Sequence, residues 1–180
     1  CVNKNKKSCE WIAFIDTDEF LFSPKHYSLQ NLLFLYREYA GVSVNWVMYG
    51  TGFVDCLLPS ERMLDKLLYR GPIGQNVNKH VKTIVRPKHV VGCENPHYFL
   101  YDQGKHSVTE NKDFIHGPFS EYVSVNFFRI NHYWQRDREF FWTIKAERQR
   151  KWWNVSEEKL KELENLYNDE FDDILCNSRA

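Results

Sequence analysis

Apolar and polar positions alternate along this chain in runs that read as a mixed α/β protein. Trp11 to Ile15 is a short unbroken apolar run that ends abruptly in acid at Asp16, the pattern of a central strand covered on both faces. Ser28 stands before Leu29, Leu32, Leu33 and Tyr36, an apolar stripe at helical spacing, and Gly41 supplies a stop, which predicts a capped helix through about Tyr39. Val42 to Tyr49 alternates and is rich in β-branched residues. It predicts a second strand beside the first, with the helix between them as a βαβ crossover.

From Gly50 to Asn78 the periodicity breaks at Gly50, Gly52, Pro59, Gly71, Pro72 and Gly74, leaving one helix-like stretch near 61–69 in what reads as a functional loop region. Short strands are predicted at 82–86, 89–91, 98–101 and 122–130, and a helix over 137–152. Ser156 predicts the cap of a final helix to about Tyr167, although Lys159 stands where a full capping box wants Glu or Gln. Residues 136–151 are basic and 157–173 acidic, so packing of the two helices would neutralise both.

Composition narrows the class. At 180 residues with 43% hydrophobic and 16% aromatic content, the chain is long enough for one compact domain with a substantial core. Lys and Arg number 24 and so do Asp and Glu, which argues against a general nucleic-acid binder, because phosphate contacts require a positive excess, and leaves only local patches open. No run approaches the length of a membrane-spanning helix, and the first residues do not read as a signal peptide. The cysteines, Cys1, Cys9, Cys56, Cys93 and Cys176, form no C-x-x-C pair, which argues against structural zinc and favours a reducing compartment; the sequon at Asn154 would matter only in a secretory one. A start at Cys1, with a polar stretch leading at once into a strand, reads as a piece of a longer protein.

The sharpest chemistry is Asp16-Thr17-Asp18-Glu19. With a strand period of two, Asp16 and Asp18 point the same way beyond a strand end, where open α/β sheets bind ligands. Such a pair either shares a proton or is held ionised by a divalent cation with hard oxygen ligands. The plainer alternative is an acidic loop or helix cap.

The run Trp11-Ile-Ala-Phe-Ile-Asp-Thr-Asp-Glu-Phe20-Leu resembles the signature of GT-A-fold glycosyltransferases, specifically the family 92 and family 2-like group. Asn45-Trp46-Val-Met-Tyr-Gly50-Thr-Gly52 is similar to that group's W-x-x-F-G-x-x-G segment, with Tyr49 for Phe and one residue fewer between the glycines. Glu61-Arg62 resembles its E-R, Lys82-Thr-Ile-Val-Arg-Pro87 its K-x-I-V-x-P strand, and Asn131-His132-Tyr133 its N-H-Y segment, so the likeness runs through about 9–150.

The resemblance implies a GT-A-like, Rossmann-related mixed sheet flanked by helices, here a single catalytic domain over 1–180 with a helical tail at about 136–175, and a partial one lacking the N-terminal nucleotide-binding half. It implies a hexosyltransferase-type enzyme that moves a sugar, with inversion, from a nucleotide-diphosphate donor to a hydroxyl of a glycan or glycolipid. Asp16 and Asp18 would hold Mn²⁺, or Mg²⁺, with His132 as a third ligand; a structural histidine is the alternative. Glu19 would orient the pair or bind a sugar hydroxyl, and Trp46 and Tyr49 would stack on sugar faces unless they are core. Gly50 and Gly52 would allow close backbone approach. Lys82 would face a phosphate, with Lys79 and Arg86 as alternatives, and His97 would hydrogen-bond the acceptor. Glu61, from the E-R position, is the first candidate base and Asp55 the second; a surface salt bridge is the alternative for Glu61. The aromatic cluster Phe140, Phe141, Trp142, Trp152 and Trp153 among basic residues would either touch a membrane surface or pack against the sheet.

Two rivals remain open at this level. Haloacid-dehalogenase-like phosphohydrolases also end a strand in D-x-D, but Phe20 stands where they carry Thr or Val, and no downstream Gly-Asp motif for magnesium is evident. The other is a non-catalytic carbohydrate-binding remnant. Donor sugar, acceptor, linkage and compartment (cytoplasm, a membrane periphery or the Golgi lumen) are not specified by the sequence.

Overall fold

The computed structural model describes residues 2–177; Cys1 lies outside them. In chain order the elements are α1 (Val2–Asn5), β1 (Glu19–Phe22), α2 (Leu29–Phe34), β2 (Gly41–Met48), α3 (Met63–Lys66), β3 (Tyr69–Arg70), β4 (Val81–Val85), β5 (Val90–Asn95), β6 (Tyr98–Tyr101), β7 (Ser107–Val108), β8 (Phe114–Ile115) and β9 (Arg129–His132). A long helix follows, built from α4 (Arg138–Phe140), a π-helical stretch (Phe141–Ala146) and α5 (Glu147–Trp153), then α6 (Glu157–Asn165), β10 (Glu170–Phe171) and α7 (Ile174–Asn177). The chain is mixed α/β with a mixed sheet and flanking helices, as the resemblance implies. It divides into two compact units: one from the described residues up to Trp46 together with Asn76–Ile130, the other from Val47–Gln75 and the described residues from Asn131 on.

The sheet has the order β1-β9-β2-β7-β8, and β4 also pairs with β2. Strand β2 is buried along its whole length. It runs antiparallel to β4, from Gly41 opposite Val85 to Asn45 opposite Val81, and parallel to β7 at Gly41 and Val42. Leu32, Leu33 and Tyr36 of the α2 region are buried, as their spacing predicts. Ser28 sits at the N-cap, but its side chain makes no capping bond and its carbonyl accepts the Leu32 N–H at 3.0 Å.

Two predictions around the first strand are corrected. Trp11 to Ile15 is extended, but only Ile12 joins the sheet, exchanging both backbone bonds with Val85 at 2.8 Å. Ile12 and Phe14 pack on the Val85, Val90 and Phe99 cluster while Ala13 and Ile15 are exposed, so one side is covered and no ladder forms. The ordered strand begins at Glu19, after the acid pair rather than before it. β9 then stands between β1 and β2, so these two are not neighbours.

The strand predicted at 122–130 is also shorter. The buried Glu110 carboxylate accepts the N–H groups of Asn126, Phe127 and Phe128 at 2.7–2.9 Å and a bond from the Ser124 hydroxyl, which satisfies those donors without a ladder. Only Arg129–His132 remains as strand.

In the second unit the two long helices pack as their charges predict. Phe141, Ala146 and Leu160 are buried together with Trp134, Trp142, Val155 and Leu163 against them. The Arg150 guanidinium spans both Glu157 oxygens at 2.6 and 3.1 Å. Ser156 caps α6, accepting the Lys159 N–H at 3.3 Å. Phe141 is thus core, whereas Trp152 and Trp153 are exposed. Among the described residues no helix is long and apolar enough to cross a membrane.

Candidate functional site

The acid motif sits in a turn locked by two reciprocal bonds. Glu19 N–H donates to the Asp16 carbonyl and Asp16 N–H donates to Glu19 Oε2, both at 3.1 Å. From β4, Lys82 projects its ammonium into this turn, 2.8 Å from Asp16 Oδ2 and 3.6 Å from Glu19 Oε2. The Lys82 side chain is 3% exposed and that of Glu19 0%, while Asp16 is 64% exposed. The motif therefore has a buried base, Lys82 and Glu19, and an open top, Asp16, with Asp18 half-buried beside it.

Burial pushes the Glu19 carboxyl up, the Asp16 N–H and Lys82 draw it back, and the nearby charges of Asp16 and Asp18 push it up again, with a net rise. Glu19 acts on the motif by shaping the Asp16 turn. Lys82 grips Asp16 itself.

Asp16, well exposed, and Asp18, half-buried, offer the hard carboxylate oxygens that Mg²⁺ and Mn²⁺ take as ligands. Among the described residues no three of His, Cys, Asp and Glu are grouped as a metal-holding set.

Beside this motif lies an aromatic cluster that involves two of the predicted residues. Trp46 is stacked on His80 with centroids 4.9 Å apart and meets the His97 ring edge-on at 5.2 Å; at 8% exposure it is a core residue, the alternative to a sugar-stacking platform. His97 Nδ1 lies 2.9 Å from the Val81 carbonyl. A carbonyl only accepts, so Nδ1 carries the proton and, in the neutral ring, Nε2 is left as an acceptor. Burial holds the His97 pKa below its ordinary value, against the Val81 bond; Lys82 and His80 add to the lowering and Asp16 opposes it. A neutral imidazole with an acceptor nitrogen suits a hydroxyl ligand.

Gly50, Gly52, Asp55, Glu61 and His132 belong to the second unit. Gly50 and Gly52 do allow close backbone approach, but by the protein's own chain: a Cβ at Gly50 would lie 2.3 Å from Asn168 Oδ1 and 2.6 Å from the Tyr167 carbonyl. Gly52 has φ of +60° and donates its N–H to Asn168 Oδ1 at 2.8 Å. Glu61 accepts the Leu58 N–H at 3.0 Å and pairs with Lys66 at 2.9 Å; the backbone bond first, then Lys66, hold its carboxyl below the ordinary range. Asp55 is 86% exposed, with Arg138 3.0 Å from one oxygen. His132 is buried at the end of β9, its carbonyl accepting the Tyr49 N–H at 3.0 Å.

Sequence reasoning passed over Glu110, and nothing local marks it: the donors it serves lie 14 to 18 residues away. It also passed over His80, whose ring joins the Trp46 stack.

The sequence model described as glycosyltransferase family 92 matches residues 1–171. Comparison with curated proteins gives no match.

Proposed function

The chain belongs to glycosyltransferase family 92, and from that membership we propose that the Asp16-x-Asp18 turn receives the diphosphate of a nucleotide-sugar donor for inverting, metal-dependent transfer to a hydroxyl of a glycan or glycolipid. The observation that carries this reading is the exposed Asp16 carboxylate, two residues before the half-buried Asp18, held over a buried Lys82–Glu19 base.

In the transfer, the acceptor oxygen forms a bond to the anomeric carbon as the bond from that carbon to the diphosphate breaks. The diphosphate leaves with the electron pair, and the hydroxyl proton passes to a base. Asp16 and Asp18 would hold a Mn²⁺ or Mg²⁺ ion, which would supply Lewis-acid stabilisation of the leaving group. Lys82 holds the Asp16 carboxylate in place and Glu19 fixes the turn from beneath, so Asp16 need not reorganise when the donor arrives. His97 accepts a hydrogen bond from an acceptor hydroxyl through Nε2. Of the two candidate bases, Asp55 has the more exposed carboxylate, while both oxygens of Glu61 are already engaged and its lowered pKa weakens it as a proton acceptor.

Calorimetric titration of Mn²⁺ in the presence and absence of uridine diphosphate tests the donor site. The expected result is Mn²⁺ affinity at least about 10-fold higher with the diphosphate present, since its oxygens complete the shell, and loss of that gain in Asp18→Asn. Equal affinities in the two titrations would refute the donor reading.

A further inference from the structure

On the first unit, a cavity of about 570 Å³ opens between the β7–β8 hairpin and the loop that follows it. Three of its lining aromatic side chains are strongly exposed: Phe114 at 66%, Phe119 at 53% and Tyr122 at 73%. Between them stand the exposed polar side chains Asn111, Asp113 and Glu121. Among the described residues no Lys or Arg lines the cavity; His116 does.

This combination specifies a ligand chemistry. Exposed rings seek an apolar face, and amide and carboxylate oxygens accept from neighbouring hydroxyl groups. A pyranose presents both, a C–H face and an edge of hydroxyls. Two carboxylates with no Lys or Arg beside them disfavour phosphate, sulfate and nucleic acid, and a purely apolar ligand would strand the polar side chains.

The walls are also held in place before any ligand binds. Ser120 is fixed by Asn45 Nδ2 donating to its hydroxyl at 2.7 Å, by its own N–H donating to the Lys79 carbonyl at 2.9 Å, and by its hydroxyl donating to the Tyr122 carbonyl at 2.8 Å. On the opposite wall, Thr109 Oγ1 accepts the N–H groups of Asn111 and Asp113, each at 3.3 Å. Rings presented on pinned backbone lose little freedom on binding.

The cavity is joined to the acid motif by packed rings. Phe119 touches His80 with centroids 4.4 Å apart, His80 stacks on Trp46, and Trp46 meets His97, whose Nδ1 bonds the Val81 carbonyl next to Lys82.

We infer that this cavity is a binding subsite for a neutral oligosaccharide, holding the distal sugars of the acceptor. Its acceptor role rests on the transferase reading; its saccharide binding does not.

An array of neutral oligosaccharides of two to six hexoses, followed by calorimetry with the best binder, tests it on the full chain. Phe114→Ala/Tyr122→Ala truncates two exposed rings, so its melting temperature should match the parent. Expected are binding of at least one oligosaccharide, at least 10-fold weaker binding in the double variant, and an unchanged Mn²⁺–uridine diphosphate titration. A blank array, or equal affinity in the variant, overturns the subsite. So does loss in the variant of flotation with phosphatidylcholine–phosphatidylserine vesicles while oligosaccharide binding is retained, because the rings would then be a membrane contact. If saccharide binding behaves as expected but uridine diphosphate has no effect on Mn²⁺, the donor reading fails and the subsite stands.

Discussion

Lys82→Met is the most informative single change, because it removes the cation beneath the acid motif and keeps the bulk of the side chain. At an effective dielectric of about 20, unit charges 3.6 Å apart attract by roughly 4–5 kcal/mol. Part of this is offset by the desolvation of a pair that is 3% and 0% exposed. Asp16, at 64% exposure, regains water when the lysine is lost and contributes little. The net cost should be about 2–4 kcal/mol, a fall in melting temperature of about 4–16 °C at the usual ~2–4 °C per kcal/mol for this size.

The pH dependence has a definite sign. Glu19 has a raised folded-state pKa, so its carboxyl favours folding below the unfolded value and loses that contribution as pH rises through the folded value. Lys82 moderates the rise, and its removal enlarges it. The Lys82→Met penalty should therefore be largest at neutral pH and shrink as pH falls toward about 4.5 and Glu19 takes up a proton. Adding Glu19→Gln should recover most of the loss at pH 7. Calorimetric melting of the two single variants and the double variant between pH 7.5 and 4.5 reads all of this. A pH-independent penalty, or additivity in the double variant, would refute the buried-base account.

The loop anchor and the histidine give two further tests. Glu110→Ala leaves three backbone N–H groups without their acceptor, so urea unfolding should show a loss of about 3–5 kcal/mol, with Glu110→Gln costing less because one oxygen remains; a loss below about 1 kcal/mol would show that water replaces the carboxylate. His97, with its pKa lowered mainly by burial, contributes stability above its unfolded value of about 6.5 that is lost as pH falls toward the folded value. His97→Asn, which keeps a donor for the Val81 carbonyl, should flatten the fall in melting temperature between pH 7.5 and 5, and an unchanged slope would remove His97 from that balance.

What could be read from the sequence was local. β2, β4 and β6 were recognisable because an apolar run of strand length between turn residues has few other outcomes, and the start of α6 because Ser156 caps the N–H three residues on. Asp16 and Asp18 were recognisable because a carboxylate pair next to an apolar run requires a charge partner. The identity of that partner was decided by the sheet: Lys82 is 66 residues from Asp16 and reaches it only because β4 pairs with β2 and its Val85 bridges Ile12. The same holds for β9, which separates β1 from β2, and for Gly50, whose missing Cβ makes room for Asn168 and Tyr167. Glu110 is the plainest case, an unremarked acid in a turn that became a buried acceptor for a loop 16 to 18 residues on. Periodicity reports which face a residue turns to the core; it carries no information about which distant backbone or charge will meet it there, and that meeting is what made a lysine, a glutamate and a glycine into parts of the site and its support.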